Sequence, residues 1–229
     1  MDECIGVNDQ AIILLAQRAT QLKRVSLDSC VALTDDAIYK LAVHCPQLRY
    51  INLSGCIGLT SRALSYLGSF ITGLEDIALE RCPHILDENH KFLIVNNTSL
   101  TRLRLRETSA NDELLRCLAQ HCRHLTDLSL STTKVTAAGL FDLFAHWSSG
   151  PTLVGLRCIE LENCDVNDQA LTAIAEAAGS TLVKLLLSGC DKLTDDSLSL
   201  LGTYCLSLEH LDISFCSNTG DSAVSSIAR

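Results

Sequence analysis

The stretch from Leu182 to Leu201 reads L-V-K-L-L-L-S-G-C-D-K-L-T-D-D-S-L-S-L-L, and its reading decides the fold. The first nine residues fit the pattern L-x-x-L-x-L-x-x-C. A polar cap follows, Thr194-Asp195-Asp196, and then apolar residues at helical spacing. This is a short strand, a turn and a helix. A strand whose inward side chains are Leu185 and Leu187 cannot bury them alone, so the unit needs near-copies of itself on either side.

The chain supplies them. The first leucine of the pattern recurs as Leu22, Leu48, Leu74, Leu100, Leu125, Leu156, Leu182 and Leu208, with successive differences of 26, 26, 26, 25, 31, 26 and 26 residues. The second and third slots hold Val25/Leu27, Ile51/Leu53, Ile77/Leu79, Leu103/Leu105, Leu128/Leu130, Ile159/Leu161, Leu185/Leu187 and Leu211/Ile213, all aliphatic. A coincidental apolar run does not hold one register through eight units. The expected organisation is one repeat domain over 1-229, with a partial leading repeat at 1-21.

Composition agrees with a leucine-built core, because aromatics make up only 4% of a chain that is 47% hydrophobic. A net charge of -9 argues against nucleic acid or an acidic membrane as partner. Met1-Asp2-Glu3-Cys4 lacks the basic and apolar regions of a secretory signal, and the longest apolar run, Ala11 to Ala16, is far short of a bilayer span. The expectation is a soluble protein, cytoplasmic and/or nuclear.

Twelve cysteines would suggest a disulfide framework in a small secreted protein, but here they follow the repeat. Cys30, Cys56, Cys82, Cys164, Cys190 and Cys216 lie eight residues after the first leucine, Cys4 fits the same slot of the leading repeat, and Thr108 and Thr133 take it in two others. A line of buried reduced thiols is expected, each serving the turn that leaves a strand.

Helix caps are expected at Asn8, Thr34, Thr60, Asp87, Asn111, Thr136, Asn167 and Thr194. Acidic residues just after them, Asp35-Asp36, Glu88 and Asp195-Asp196, suit the positive end of a helix dipole. The fifth repeat gains about five residues at Trp147-Ser148-Ser149-Gly150-Pro151, read as a longer helix-to-strand loop with Trp147 plugging the helix side, the alternative being a contact site for a partner. Neither end carries a polar capping unit, and Arg229 falls inside the last helix, which predicts a piece of something longer.

With L-x-x-L-x-L-x-x-C-x-x-L-T-D-x-A-L laid out at Leu22 to Ile38 and Leu182 to Leu198, the sequence resembles the cysteine-containing leucine-rich repeat family. His44-Cys45-Pro46 and His121-Cys122 belong to the same pattern. The resemblance implies an α/β fold, a right-handed solenoid or horseshoe with a parallel sheet on the concave face and helices on the convex face. Members of that family include F-box proteins, RNI-like in their repeats, which hold substrates for a cullin-based SCF ubiquitin ligase. Relatives with such repeats work in mitotic exit and DNA repair. No F-box-like helical segment lies in this chain, so ligase attachment is implied by kinship alone.

In such a fold the outward strand residues form three columns that face a partner. The first holds Arg24, Tyr50, Asp76, Arg102, Asp127, Cys158, Lys184 and His210; the second, Ser26, Asn52, Ala78, Arg104, Ser129, Glu160, Leu186 and Asp212; the third, Asp28, Ser54, Glu80, Arg106, Ser131, Glu162, Ser188 and Ser214. The candidate partner-binding residues are Arg102, Arg104, Arg106, Tyr50, Lys184, Glu160 and Glu162. Arg102 lies between Asp76 and Asp127 and is expected to be paired; Arg104 lies between Ala78 and Ser129, so no carboxylate is expected on its nearest rungs, while Arg106 has Glu80 on one side. Arg104 and Arg106 are expected to recognise an acidic or phosphorylated segment of a protein substrate through bidentate guanidinium contacts. The competing reading is an internal salt-bridge lattice with Glu80, Glu160 and Glu162.

A catalytic, metal or cofactor site is not expected. Histidines His44 and His121 are placed by the repeat grammar beside helix-end cysteines, no C-x-x-C occurs, and the ladder cysteines run in a line instead of converging.

Overall fold

A computed structural model describes residues 6–85, 90–149 and 155–227 of the chain, the side chain of residue 90 excepted. The expectations at Cys4, Asp87, Glu88, Gly150, Pro151 and Arg229 fall outside the described residues.

Every repeat leaves its strand through one left-handed residue. Ser29, Gly55, Arg81, Glu107, Thr132, Asn163, Gly189 and Phe215 have φ between 53° and 73°, and each is the residue just before the cysteine or threonine slot. Only two are glycine, so at the others the repeat holds an L-residue where the chain alone disfavours it.

The chain forms two compact units, Met1–Ala110 and Asn111–Arg229. The first runs α1 (Asp9–Arg18), β1 (Arg24–Ser26), α2 (Asp35–His44), β2 (Tyr50–Asn52), α3 (Ser61–Phe70), β3 (Asp76–Ala78), α4 (His90–Asn96) and β4 (Arg102–Arg104). The second runs α5 (Asp112–His121), β5 (Asp127–Ser129), α6 (Ala137–Ser148), β6 (Cys158–Glu160), α7 (Asp168–Ala178), β7 (Lys184–Leu186), α8 (Asp195–Ser199), α9 (Leu201–Tyr204), β8 (His210–Asp212) and α10 (Asp221–Ile227). Within each unit the strands pair in parallel with the sequence-derived register: Arg24, Tyr50, Asp76 and Arg102 are neighbours in the first, Asp127, Cys158, Lys184 and His210 in the second. Parallel neighbours need a crossover, which the helices provide.

The helices start where the caps predict. Side chains of Asn8, Thr34, Thr60, Asn111, Thr136 and Asn167 accept from backbone N–H groups of the first turn. Thr194 differs, since its side chain caps no first-turn N–H, although its hydroxyl donates to Asp168, 2.7 Å away. From the caps inward, apolar residues at helical spacing are buried, as with Ala37, Ile38, Leu41 and Ala42 of α2. They meet the strand leucines and isoleucines, among which Leu48, Ile51, Leu53, Leu182, Leu185 and Leu187 are fully buried.

Two ladders of hydrogen bonds tie consecutive repeats. In the first, thiols of Cys56, Cys82, Cys164, Cys190 and Cys216 donate to the carbonyls of Leu27, Leu53, Leu130, Leu161 and Leu187, the third-slot residue of the preceding repeat, at 3.0–3.2 Å. The slot was expected to serve its own turn; the threonines Thr108 and Thr133 do so, donating to Leu105 and Leu130. The eleven described cysteines are free thiols, and burial pushes those of Cys56, Cys122 and Cys190 up to about 12.

In the second ladder, the first acid after a cap holds the next repeat's cap. Asp9 accepts from the N–H and hydroxyl of Thr34, Asp35 from those of Thr60, Asp112 from those of Thr136, and Asp168 from those of Thr194, all within 2.5–2.9 Å. Asp195 accepts from the N–H of Gly220 at 2.7 Å. These acids are more than dipole partners. Gly139 is a glycine for the same reason, because a Cβ there would lie 2.2 Å from the Asp112 carboxylate.

Trp147 lies within α6, which extends to Ser148, and not in a loop after it. It is 1% exposed and meets the Phe144 ring edge-on at a centroid distance of 5.4 Å. Part of the insertion therefore lengthens the helix, and its aromatic ring fills core.

Candidate functional site

Outward strand residues were expected to be available to a partner, but several are covered. Ser54 and Ser131 are 2% and 0% exposed, and their hydroxyls accept from the backbone N–H groups of Glu80 and Glu162 in the following repeat. A serine in the third column is thus a connector between rungs. Asp76 is 3% exposed despite facing outward from β3.

Asp76 is covered by arginine. Arg102 Nε donates to its Oδ2 at 2.7 Å, and Arg104 Nη2 donates to its Oδ1 at 2.9 Å. This corrects the expectation that Arg104 has no carboxylate within reach. The rung beside it is Ala78, but a guanidinium on four rotatable bonds reaches diagonally to the first column, as long side chains do across neighbouring strands. One buried carboxylate therefore fixes two cations, whose side chains remain 42% and 31% exposed. The group carries one net positive charge, and each guanidinium has N–H groups beyond the one that Asp76 accepts.

Arg106 differs. Its Nε lies 3.3 Å from Oε1 of Glu107, both side chains are 44% exposed, and so open a pair contributes little. Tyr50 borders the cluster on β2, with the guanidinium of Arg24 stacked 4.2 Å from its ring centroid.

The second unit holds the other candidates, and its pairing also runs diagonally. Lys184 Nζ donates to Glu160 Oε1 at 2.6 Å. Burial by itself raises the Glu160 carboxyl, but the Lys184 ammonium and the other hydrogen bonds outweigh it and hold the group below the usual carboxylate range. The hydrogen bond to Glu160 in turn raises Lys184. Cys158 stands beside them, its thiol 3.8 Å from Glu160 Oε1 and pushed up to about 11 by burial and that neighbouring carboxylate. Glu160 is consumed by Lys184, and the backbone N–H of Glu162 is consumed by Ser131. Within the units, these columns pair as aspartate with two arginines in the first and glutamate with lysine in the second.

Sequence reasoning placed Arg102, Arg104, Arg106, Tyr50, Lys184, Glu160 and Glu162 on the outward positions and paired Arg102 with its neighbouring aspartates, but missed that Asp76 also takes Arg104. The signal was there: a carboxylate at a first-column position, diagonal to one arginine and opposite another. Among the described residues, no three His, Cys, Asp or Glu side chains are grouped to hold a metal ion, and no helix is long and apolar enough to cross a membrane.

Comparison with known proteins follows the same geometry. A leucine-rich repeat family model matches residues 121–144, which span the end of α5, β5 and most of α6. Among solved structures, Rad7 in its complex with Elc1 from yeast superposes with a TM-score of 0.71 at 22% identity, over 96% of this chain. This chain spans 63% of the length of that one. Internalin C2 from Listeria monocytogenes superposes with a TM-score of 0.59 at 19% identity, covering 97% of this chain and 80% of its own. At these identities the likeness is one of fold. Parallel strands in register, one left-handed turn per repeat and helices that return each strand to its neighbour make this an α/β leucine-rich-repeat solenoid.

Proposed function

We propose that this chain is a protein-recognition module that holds the substrate of a cullin-based, SCF-type ubiquitin ligase, and that Arg102 and Arg104 bind an acidic or phosphorylated segment of that substrate. The observation that carries the site is the pair of guanidiniums fixed on one buried carboxylate. Two cations on one anion leave an excess charge, and their fixed geometry lowers the ordering cost of binding a carboxylate or phosphate. The ligase part rests on the resemblance of the repeats to F-box proteins; Rad7, similar in fold, is itself found in a complex with another protein. Arg106, Tyr50, Lys184, Glu160 and Glu162 would border the bound segment or set its direction. The eleven described cysteines, all free thiols, suit a reducing compartment, cytoplasm or nucleus.

The test is affinity capture from cell lysate with the whole chain, joined to any native extension, followed by mass spectrometry. Recovery of a cullin and its adaptor, with acidic or phosphorylated clients lost on Arg102→Gln and Arg104→Gln, is the expected result. Glutamine is the better choice at 104, since a glutamate would set a second carboxylate against the buried Asp76. Clients without ligase subunits would move the reading to a scaffold or adaptor with the same fold. Clients retained by both variants would remove the arginine pair from the site.

A further inference from the structure

The strand-entry side of the first unit holds more positive charge than the arginine pair by itself. Along the first column and the residues just before it, Lys23, Arg24, Arg49, Arg102 and Arg104 stand against two carboxylates, Glu75 and Asp76, an excess of three positive charges in a chain of net charge -9. Both carboxylates are already engaged, Glu75 by Arg49 and Asp76 by Arg102 and Arg104. Among the described residues, neither Lys23 nor Arg24 forms an ion pair, and both are exposed. The other acids of this face, Asp28 and Glu80, lie in the third column, about 13 Å of extended chain from Arg24 and Asp76.

Arg24 is held in place without being neutralised. Its guanidinium lies 4.2 Å from the centroid of the Tyr50 ring, which attracts a cation but leaves the charge and the N–H groups to a ligand. The strand register puts Arg24, Tyr50, Asp76 and Arg102 on successive rungs, so the backbones of Arg24 and Arg102 are three rungs apart, about 14 Å. The charged heads are nearer than that, because Asp76 is a short side chain and both Arg102 and Arg104 lean back onto it. About two rungs, roughly 10 Å, separate them. An extended segment rises about 3.3 Å per residue and turns alternate side chains to one face, so residues i and i+2, about 7 Å apart, and i and i+4, about 13 Å apart, bracket that separation.

We propose that Arg24, held on Tyr50 with Lys23 beside it, is a second anion subsite on the face that carries the arginine pair, and that the segment bound there lies across the strands with two anionic residues two or four positions apart. The proposal rests on the reading of Arg102 and Arg104 as an anion site. One anionic side chain meets Arg102 and Arg104, and another on the same face of the segment meets Arg24. The spacing of the two anions, more than their number, then marks the client.

The experiment is isothermal titration calorimetry of the whole chain with glycine-serine peptides that carry one phosphoserine, or two at i and i+2, i and i+4, or i and i+6. Pairs at the two shorter spacings should bind about fivefold tighter than the single phosphoserine. The pair at i and i+6 lies about 20 Å apart, beyond both subsites, and should gain only about twofold from offering two identical groups. Arg24→Gln should remove the fivefold gain, and Arg104→Gln should weaken binding of every peptide. Arg24 is exposed, so its variant reports on binding and not on folding. An equal gain at all three spacings, or a gain that survives Arg24→Gln, overturns the second subsite and leaves the arginine pair standing where Arg104→Gln still weakens binding. Failure of every peptide to bind, or binding that Arg104→Gln leaves unchanged, overturns the reading of the arginine pair and this proposal with it.

Discussion

Replacing Asp168 with alanine tests whether the aspartate ladder holds repeats together. Asp168 accepts from the Thr194 N–H at 2.9 Å, the Thr194 hydroxyl at 2.7 Å and the Ser197 hydroxyl at 2.5 Å, all in the following repeat. A hydrogen bond to a charged group contributes about 1.5–3 kcal/mol, and the three share one partly exposed carboxylate, so their removal should cost about 2–4 kcal/mol in total. Asp196→Ala is the control. Asp196 is an exposed first-turn acid, and its loss should cost only the dipole interaction, about 0.3–1 kcal/mol. Urea unfolding followed by far-UV circular dichroism at pH 7 measures both. The pH dependence gives a second check. Burial raises the Asp168 carboxyl, but hydrogen bonds from Ser197 and Thr194 outweigh it and leave the folded value depressed. A depressed carboxyl stabilises above its unfolded value of about 3.9 and loses that contribution as pH falls through the folded value. The gap between wild type and Asp168→Ala should therefore narrow below about pH 4. A cost for Asp168→Ala no larger than for Asp196→Ala, or a gap unchanged between pH 7 and pH 3, refutes the inter-repeat role.

Other consequences are as direct. Buried thiols with values near 12 should be about one part in ten thousand thiolate at pH 8, so Cys56, Cys122 and Cys190 should react with a disulfide reagent only on unfolding. Among the described cysteines, Cys158, half-buried on the outward side of β6, should label first, and peptide mapping after brief exposure will show whether it does. Gly68→Ala would set a Cβ 2.7 Å from the carbonyl of Phe92 and 2.8 Å from the Leu93 nitrogen, both backbone atoms that cannot swing aside. Overpacking should outweigh the helix-propensity gain and cost about 1–2 kcal/mol. Gly73→Ala, whose nearest neighbour would be the Arg49 side chain at 4.0 Å, should stay within about 0.5 kcal/mol of wild type by thermal unfolding.

The aliphatic slots, the caps at Asn8, Thr34, Thr60, Asn111, Thr136 and Asn167, and the strand register could be read before any coordinates, because each repeats at a fixed spacing and each has a local physical cause. The left-handed turn before every cysteine slot could have been found too, from Gly55 and Gly189, but the other six residues there hide it. Arg104 was misjudged because neighbours were assigned by rung alone. A strand column says which residues stand side by side, whereas a long charged side chain finds its partner on the diagonal.

Sequence by itself determined that eight strand-turn-helix units must stack, since no single unit can bury its own leucines. It also determined which residues point out from the strands, because side chains alternate with a period of two. Only the tertiary structure decided which of those remain available. Ser54 and Ser131 are taken by the next repeat's backbone, Glu160 by Lys184, and Asp76 is buried beneath Arg102 and Arg104. Those choices depend on distances between chain positions 24 to 31 residues apart, set by how one repeat lies on the next, and no local pattern encodes them.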